Sequence, residues 1–392
     1  MHSPRNASTT QFFDSFLMGG FECSSHRRKD GRRLDLLHST QHDVFALQDY
    51  EAMARHGIRT VRDGVRWARV ERSPGAYDWS SFLPQLHAAR EAGVQPIWDV
   101  CHYGWPEDID IWTPAFVTRF SAYAAALASL VRDEWPGIPY YCPVNEISFW
   151  AWGGGDTGDI GPCARGRGME LKKQLVRATV AAIEAMRDVD PRARFVAVDP
   201  VIHILPKTAR QRRHAENARL AQYQAWDMIS GRLMPELGGR PDYLDIIGVN
   251  FYPHNQWYLN GPTIWHGDPL YRPLRDILSE TYQRYQRPLF IAETGAEGER
   301  RVPWLRYVCD EVEAALADGV PLGGICLYPI TDYPGWDNDR HCPTGLLGFA
   351  DEDGRRPVYQ DLADEVLRQG ERFERLLVPT EPVALEAADT QR

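Results

Sequence analysis

The sequence predicts an α/β fold, a (β/α)8 TIM barrel forming a single domain. Three observations predict it. Short apolar runs alternate with segments of helical periodicity along the chain. The runs number eight. Strict alternation requires a parallel sheet with right-handed crossovers, and eight such units over 392 residues suit a closed sheet.

The runs, in order, are FLMGGF (16–21), TVRDGV (60–65), VQPIWDV (94–100), IPYYCPV (138–144), RFVAVD (194–199), DIIGVNFY (245–252), PLFIAE (288–293) and GGICLY (323–328). Each precedes a helical segment. DVFALQDYEAMARHG places Asp43 as an N-cap and Gly57 as a stop. FVTRFSAYAAALASLVRDEW is stopped by Pro136. MELKKQLVRATVAAIEAMRD, VPWLRYVCDEVEAALADG and VYQDLADEVLRQGERFERLL show the same period. An open doubly wound sheet is the rival. It would carry a glycine-rich phosphate fingerprint after its first strand, and GGFECSS lacks that spacing.

The barrel is assigned to residues 15–378. Residues 1–14 are read as an N-terminal tail and the polar stretch 379–392 as a C-terminal tail. The longest inserts, 147–168 and 253–273, follow the fourth and sixth runs. They fall on the face where barrels build active sites.

Composition narrows the function. A formal charge of −10 argues against a nucleic-acid partner, which would want a basic face. The seven cysteines stand singly, with no CxxC pair, so reduced thiols and a cytoplasmic location are expected. The N-terminus lacks the apolar core of a signal peptide. No apolar run reads as long enough to span a membrane, and no membrane partner is expected. Thirteen Trp and 17 Tyr exceed what a core needs, and aromatic side chains commonly wall sugar sites.

Two stretches carry chemistry: PVNEISFW (143–150) and PLFIAETGAE (288–297). Each places a glutamate at or just past the end of an apolar run, where an unpaired carboxylate is costly. In a barrel the fourth and seventh strands end on one rim, so Glu146 and Glu293 can meet. A lone Glu at a strand end is ordinarily a solvated rim residue. The pairing, with Asn145 directly before Glu146, points to glycoside hydrolysis. There one carboxylate is the nucleophile and the other gives and then takes a proton. Unequal surroundings must keep one ionised and one protonated. His26, Asp99, His102 and Asp199 are alternative strand-end metal ligands, but they lack a ligand pair at short spacing. No metal, nucleotide or other cofactor is expected.

From about residue 16 to 360 the chain resembles the clan A retaining glycoside hydrolases, and within them the family 1 β-glycosidases. VNE at 144–146 looks like that family's NE motif, and IAETGA at 291–296 looks like its TENG motif. TVRDGVRWARV at 60–70 is in register with RFSISWSR, and VCHYGWP at 100–106 resembles YHWDLP. GVNFY at 248–252 resembles GLNYY, and YPITDYPGW at 328–336 is in step with WSLLDNFEW.

The resemblance implies that Glu293 is the nucleophile and Glu146 the acid/base. It implies a substrate-binding shell of Asn145 on the sugar 2-hydroxyl, His102, Arg62 beside the nucleophile, Tyr252 hydrogen-bonded to it, Tyr328, Trp336 and His26. Arg62 would favour an ionised Glu293. Burial among Phe149, Trp150 and Trp152 would raise the pKa of Glu146. Asp63 could instead form a rim ion pair with Arg62.

Two departures stand out. The family's ATSAYQ reads ECSSH, which puts His26 or Glu22 at the position of its sugar-gripping Gln. Its ExW reads Gly335-Trp336, and its strand-eight Trp reads Tyr328. The catalytic centre is kept and the recognition shell rebuilt. The expectation is a retaining β-glycosidase acting on a saccharide or glycoside whose sugar is not plain glucose. A bulkier, modified or anionic substituent would fit, with His26, Arg27, Arg28 and Arg32 supplying charge. RRKDGRR (27–33) could equally be a solvated loop. A transglycosidase using the same residues and a catalytically silent sugar-binding barrel are the alternatives. The family's strand eight carries a cis bond after its tryptophan, so the resemblance implies a cis Tyr328–Pro329 bond, whose cost the proline lowers.

Overall fold

A computed structural model describes residues 12–377 of the chain. Residues 1–11 of the assigned N-terminal tail, and 378–392 with the C-terminal tail, lie outside the described residues.

Eight parallel strands close into a barrel. They are β1 (Leu17–Gly20), β2 (Thr60–Gly64), β3 (Gln95–Asp99), β4 (Tyr140–Cys142), β5 (Arg194–Pro200), β6 (Ile246–Asn250), β7 (Leu289–Thr294) and β8 (Leu322–Leu327). Each pairs with its neighbours in sequence, and β1 pairs with β8 to close the ring. Every residue of β2, β6, β7 and β8 is buried, as a sheet covered on both faces requires.

The covering helices are α1 (His42–Arg55), α2 (Leu83–Ala92), α3 (Pro114–Glu134), α4 (Gly168–Val189), α5 (Gln224–Ile229), α6 (Leu274–Tyr285), α7 (Arg301–Ala317) and α8 (Gln360–Leu377). The floor is packed by Phe13, whose ring lies 5.3 Å from Tyr140 and 5.2 Å from Phe290. That residue falls at the inner end of the assigned tail.

Two sequence readings are corrected here. Asp43 is not the N-cap of α1. The helix starts after Gln41, whose backbone is left-handed (φ 59°), and Asp43 sits in the first turn. Its carboxylate accepts from Arg66 Nη1 at 2.8 Å. Gly57 does follow the helix in the left-handed region (φ 76°) that favours glycine.

Second, α3 is long and apolar enough to cross a membrane by length and composition, with a mean hydropathy of 1.3. In the fold it is a barrel helix: Phe116, Phe120, Tyr123, Leu127 and Val131 form its buried face. The excess hydropathy comes from an alanine-rich remainder, not from a second large apolar face.

The inserts build the upper rim. Residues 147–150 form one helical turn that widens into a π-helical turn over 151–157. A Cβ on Gly155 would stand 2.7 Å from the backbone of Gly168, so only glycine lets this insert close onto the start of α4. The β6 insert sends Gln256–Tyr258 to pair with His203–Leu205 after β5. The Tyr328–Pro329 bond is cis, as is Gly161–Pro162.

Candidate active site

Glu293 lies near the end of β7, and Glu146 stands four residues beyond β4. The two line one cavity of about 1170 Å³ at the carboxyl end of the barrel. The chain leaves β4 through a left-handed Glu146 (φ 47°), an uncommon conformation for a side-chain-bearing residue. The one-turn helix 147–150 begins directly after it. Asp199, at the end of β5, accepts from Ser148 N at 3.0 Å and ties that turn down.

Glu293 is gripped at both oxygens. Arg62 Nη1 donates to Oε1 at 3.1 Å, and the Tyr252 hydroxyl donates to Oε2 at 2.9 Å. Arg62 is completely buried. Its Nη2 also donates to both Asp99 oxygens, at 2.9 and 2.8 Å, and to Asn145 Oδ1 at 3.1 Å. Burial would depress the basicity of Arg62, but the charges of Asp99 and Glu293 hold it well above the usual arginine value.

Glu146 is held differently. Asn250 Nδ2 donates to Oε1 at 2.8 Å and the Tyr103 hydroxyl to Oε2 at 2.5 Å. No cation pairs with it among the described residues. Burial first, and then the Glu293 charge, push its pKa up to about 8. The aromatic surround expected from sequence is present in part. Phe149 lines the same cavity, Trp150 is fully buried behind Tyr103, and Trp152 is half exposed at the rim.

The other expected residues divide into two groups. His102, Tyr252, Tyr328 and Trp336 line the cavity. Arg62, Asn145 and His26 do not. Each is at most 1% exposed and stands behind the wall. In this structure these three contact the wall residues. Arg62 reaches Glu293, and Asn145 Nδ2 reaches His102 Nε2 and Tyr103 Oη, both at 3.1 Å. The ring of His26 packs edge-on to Trp336 at 4.8 Å, and burial depresses its pKa to about 3. Of the two candidates for the Gln position, Glu22 is the one that lines the cavity.

The rim ion pair between Arg62 and Asp63 is absent. Alternation along β2 turns Asp63 outward, where it accepts from Tyr50 at 2.5 Å and Gln85 at 2.9 Å. The RRKDGRR arginines are occupied by carboxylates: Arg27 and Arg33 by Glu107, Arg28 and Arg32 by Asp339. None of them lines the cavity.

Cys23, Asp99 and His102 form the one cluster of potential metal ligands among the described residues. The Cys23 thiol lies 3.1 Å from His102 Nδ1 and 3.7 Å from Asp99 Oδ2. The cluster does not fit a metal. Arg62 already takes both Asp99 oxygens. Burial and the nearby carboxylates push the thiol well above its usual pKa, away from the thiolate that a metal needs.

Tyr103 and Asn250, the two donors to Glu146, were not singled out from sequence. Both sit inside quoted motifs, VCHYGWP and GVNFY, so the signal was adjacency to a strand end.

The architecture has solved counterparts. A family 1 β-glucosidase from Thermotoga maritima superposes with a TM-score of 0.74 at 16% identity, covering 93% of this chain and 98% of that one. The same enzyme in complex with glucoimidazole gives 0.73, covering 92% and 99%. The chain has the fold of the family 1 β-glucosidases. By sequence it is similar to 6-phospho-beta-glucosidase AscB of Escherichia coli (strain K12), 21% identical over 354 residues, 73% of this chain and 74% of that protein. No protein-family model matches the chain. At these identities the family 1 β-glucosidase likeness is one of fold.

Proposed function

We propose that the protein is a β-glucosidase-like glycoside hydrolase, a retaining β-glycosidase with Glu293 as nucleophile and Glu146 as acid/base. One observation carries the reading: two carboxyl groups share a cavity in opposite surroundings. Glu293 receives a cation and a phenol on its two oxygens, an arrangement suited to a carboxylate. Glu146 has no cation and is pushed up to about 8, which keeps it protonated at neutral pH.

The chemistry follows. A Glu293 oxygen attacks the anomeric carbon as the glycosidic C–O bond breaks, and the Glu146 proton passes to the leaving oxygen. The covalent glycosyl-enzyme places the sugar on Glu293. Glu146, now ionised, takes a proton from water, and that water's oxygen attacks the anomeric carbon and frees Glu293. Loss of the Glu293 charge in the intermediate removes one of the three effects that raise the Glu146 pKa, leaving burial and the Asp199 charge. Asp99 and Asn145 anchor Arg62 beneath the nucleophile. The names of the relatives support a β-glycoside as the substrate class, and the rebuilt recognition shell favours a sugar other than plain glucose. The seven unpaired cysteines support a reducing, cytoplasmic setting.

The test is turnover of aryl β-glycosides with proton NMR of the first sugar released. The β anomer is expected first. The α anomer first would overturn retention, and no turnover of any member would favour a silent sugar-binding barrel.

A further inference from the structure

We infer that Tyr103 is a positioning residue for Glu146, a hydroxyl that donates to the carboxylate and accepts from the acid. The inference rests on Glu146 being the acid/base.

The polarity of the bond is set from a distance. Arg62 can only donate, so the Asn145 atom facing it at 3.1 Å is the amide oxygen. The amide nitrogen must then face the other way, where it lies 3.1 Å from Tyr103 Oη. Tyr103 Oη therefore accepts from Asn145, and its single proton is left for Glu146 Oε2 at 2.5 Å. A continuous chain runs from Glu293 through Arg62, Asn145 and Tyr103 to Glu146. One candidate catalytic carboxyl thus orients the hydrogen-bond partner of the other.

The ring is fixed. Tyr103 holds a left-handed backbone (φ 65°), a strained state for an aromatic residue that persists only where its surroundings impose it. Its ring meets His102, Trp150 and Trp336 edge-on at 4.6, 5.7 and 5.7 Å. The residue is buried yet lines the cavity, so the hydroxyl can turn towards a bound sugar without moving the ring.

The two states of Glu146 then use one geometry. Asn250 holds Oε1, so the acid proton belongs on Oε2. The protonated Oε2 donates to Tyr103 Oη or to the glycosidic oxygen. After the proton leaves, Tyr103 donates back to the carboxylate. The titratable groups facing Glu146 are Glu293 on β7, Asp199 on β5, Tyr252 after β6 and Tyr103 after β3. Lys172 on α4 stands beyond Asp199. Of these, Tyr103 alone bonds Glu146 directly.

The experiment is a 13C NMR titration of the protein labelled at glutamate side-chain carboxyl carbons, with Glu146 assigned by Glu146→Gln. Tyr103→Phe keeps the packed ring and deletes the donor. The Glu146 midpoint should rise by about one to two pH units, the worth of a hydrogen bond to a charged group. The alkaline limb of kcat/KM should move with it. An unmoved midpoint in a folded Tyr103→Phe protein overturns the proposal. If that variant does not fold, 2,3-difluorotyrosine at position 103 supplies a stronger donor. Its midpoint should fall, and an unmoved one overturns the proposal equally. The titration needs no turnover. A protein that hydrolyses no glycoside would sink the functional reading while the Tyr103 bond is still decided by the midpoint.

Discussion

Arg62 donates to Glu293 from complete burial, at 3.1 Å, while its other terminal nitrogen holds Asp99 at 2.8 Å. One guanidinium thus neutralises two buried carboxylates, and the two roles separate in variants. Arg62→Met would leave Glu293 buried without a cation and Asp99 with only His102 beside it. It should lose about 3–5 kcal/mol of stability, the usual cost of breaking a buried pair. Denaturant unfolding measures it. Tyr252→Phe removes only the second donor to Glu293. Its fold should persist while kcat/KM falls by roughly 10- to 100-fold, as for a hydrogen bond to a charged group. An unaffected Tyr252→Phe enzyme would show that the bond does not serve the reaction.

Glu146 offers the second test. With the acid removed, the first step should depend steeply on the leaving group. Glu146→Ala should therefore slow glycosides with poor leaving groups far more than activated aryl glycosides, by at least about 100-fold in ratio, the usual range for general acid catalysis. Azide should restore part of the rate on activated substrates, because a small anion attacks the intermediate without a base. Equal slowing of all leaving groups would remove Glu146 from the acid role.

Much of this was legible in the sequence, for physical reasons. All eight strands sit where the apolar runs predicted, because a sheet buried on both faces leaves uninterrupted apolar stretches. The helices bounded in advance were the long periodic ones. α2, α5 and α6 are ten, six and twelve residues long, shorter than every helix bounded in advance, so their period rises less above its surroundings. The rim face was legible because strand ends mark it. What lies at the wall and what lies behind it was not. Asn145, Arg62 and His26 share strand-end positions with His102 and Tyr252, and only packing sorts them. Tyr103 was hidden because its backbone reverses into the left-handed region, which aims the ring inward against any simple period.

A third prediction concerns stability. His42 is fully buried, with Nδ1 at 2.7 Å from Asp49 and Nε2 at 3.0 Å from Asp63. Both ring nitrogens face carboxylates, so the ring is an imidazolium. Burial opposes that charge, but Asp63 and Asp49 overcome it and raise the pKa to about 9. The unfolded value is about 6.5, so the folded state binds the proton more tightly. Its contribution is complete below about pH 6.5 and is lost as pH rises through about 9, on the order of 3 kcal/mol. Unfolding free energy measured from pH 6 to pH 10 should fall over that window. His42→Gln should be less stable at pH 6 and should show a flatter decline. An unchanged slope would mean that His42 is neutral in the folded protein.

The last prediction concerns the sugar. The resemblance implies that two gripping side chains of the family are replaced here. Glu22, 6% exposed, lines the cavity, accepts from Ser24 N at 2.9 Å and lies 3.9 Å from His102 Nε2. Gly335 sits in a hairpin where an added Cβ would stand 3.1 Å from Asn338 Oδ1, so that side chain would have to shift slightly to admit one. The positive charge expected from His26 and the 27–33 loop does not reach the cavity, since His26 is sealed behind Trp336 and the arginines are paired elsewhere. The sugar end therefore presents Glu22, an acceptor-only group when ionised, whose pKa burial raises and the neighbouring His102 opposes. Such a site favours rings that offer O–H or N–H donors and opposes an anionic substituent placed against it. Across aryl β-glucoside, β-galactoside, β-fucoside, β-xyloside, β-glucuronide and 6-phosphoglucoside, a neutral sugar other than plain glucose should have the highest kcat/KM. Glu22→Gln should raise the glucuronide and 6-phosphoglucoside relative to that sugar by about 10-fold or more, because a like-charge contact costs several kcal/mol. Plain glucoside as the best substrate would sink the idea that the rebuilt shell selects a modified ring. Unchanged ratios in Glu22→Gln would show that Glu22 does not face the substituent at all.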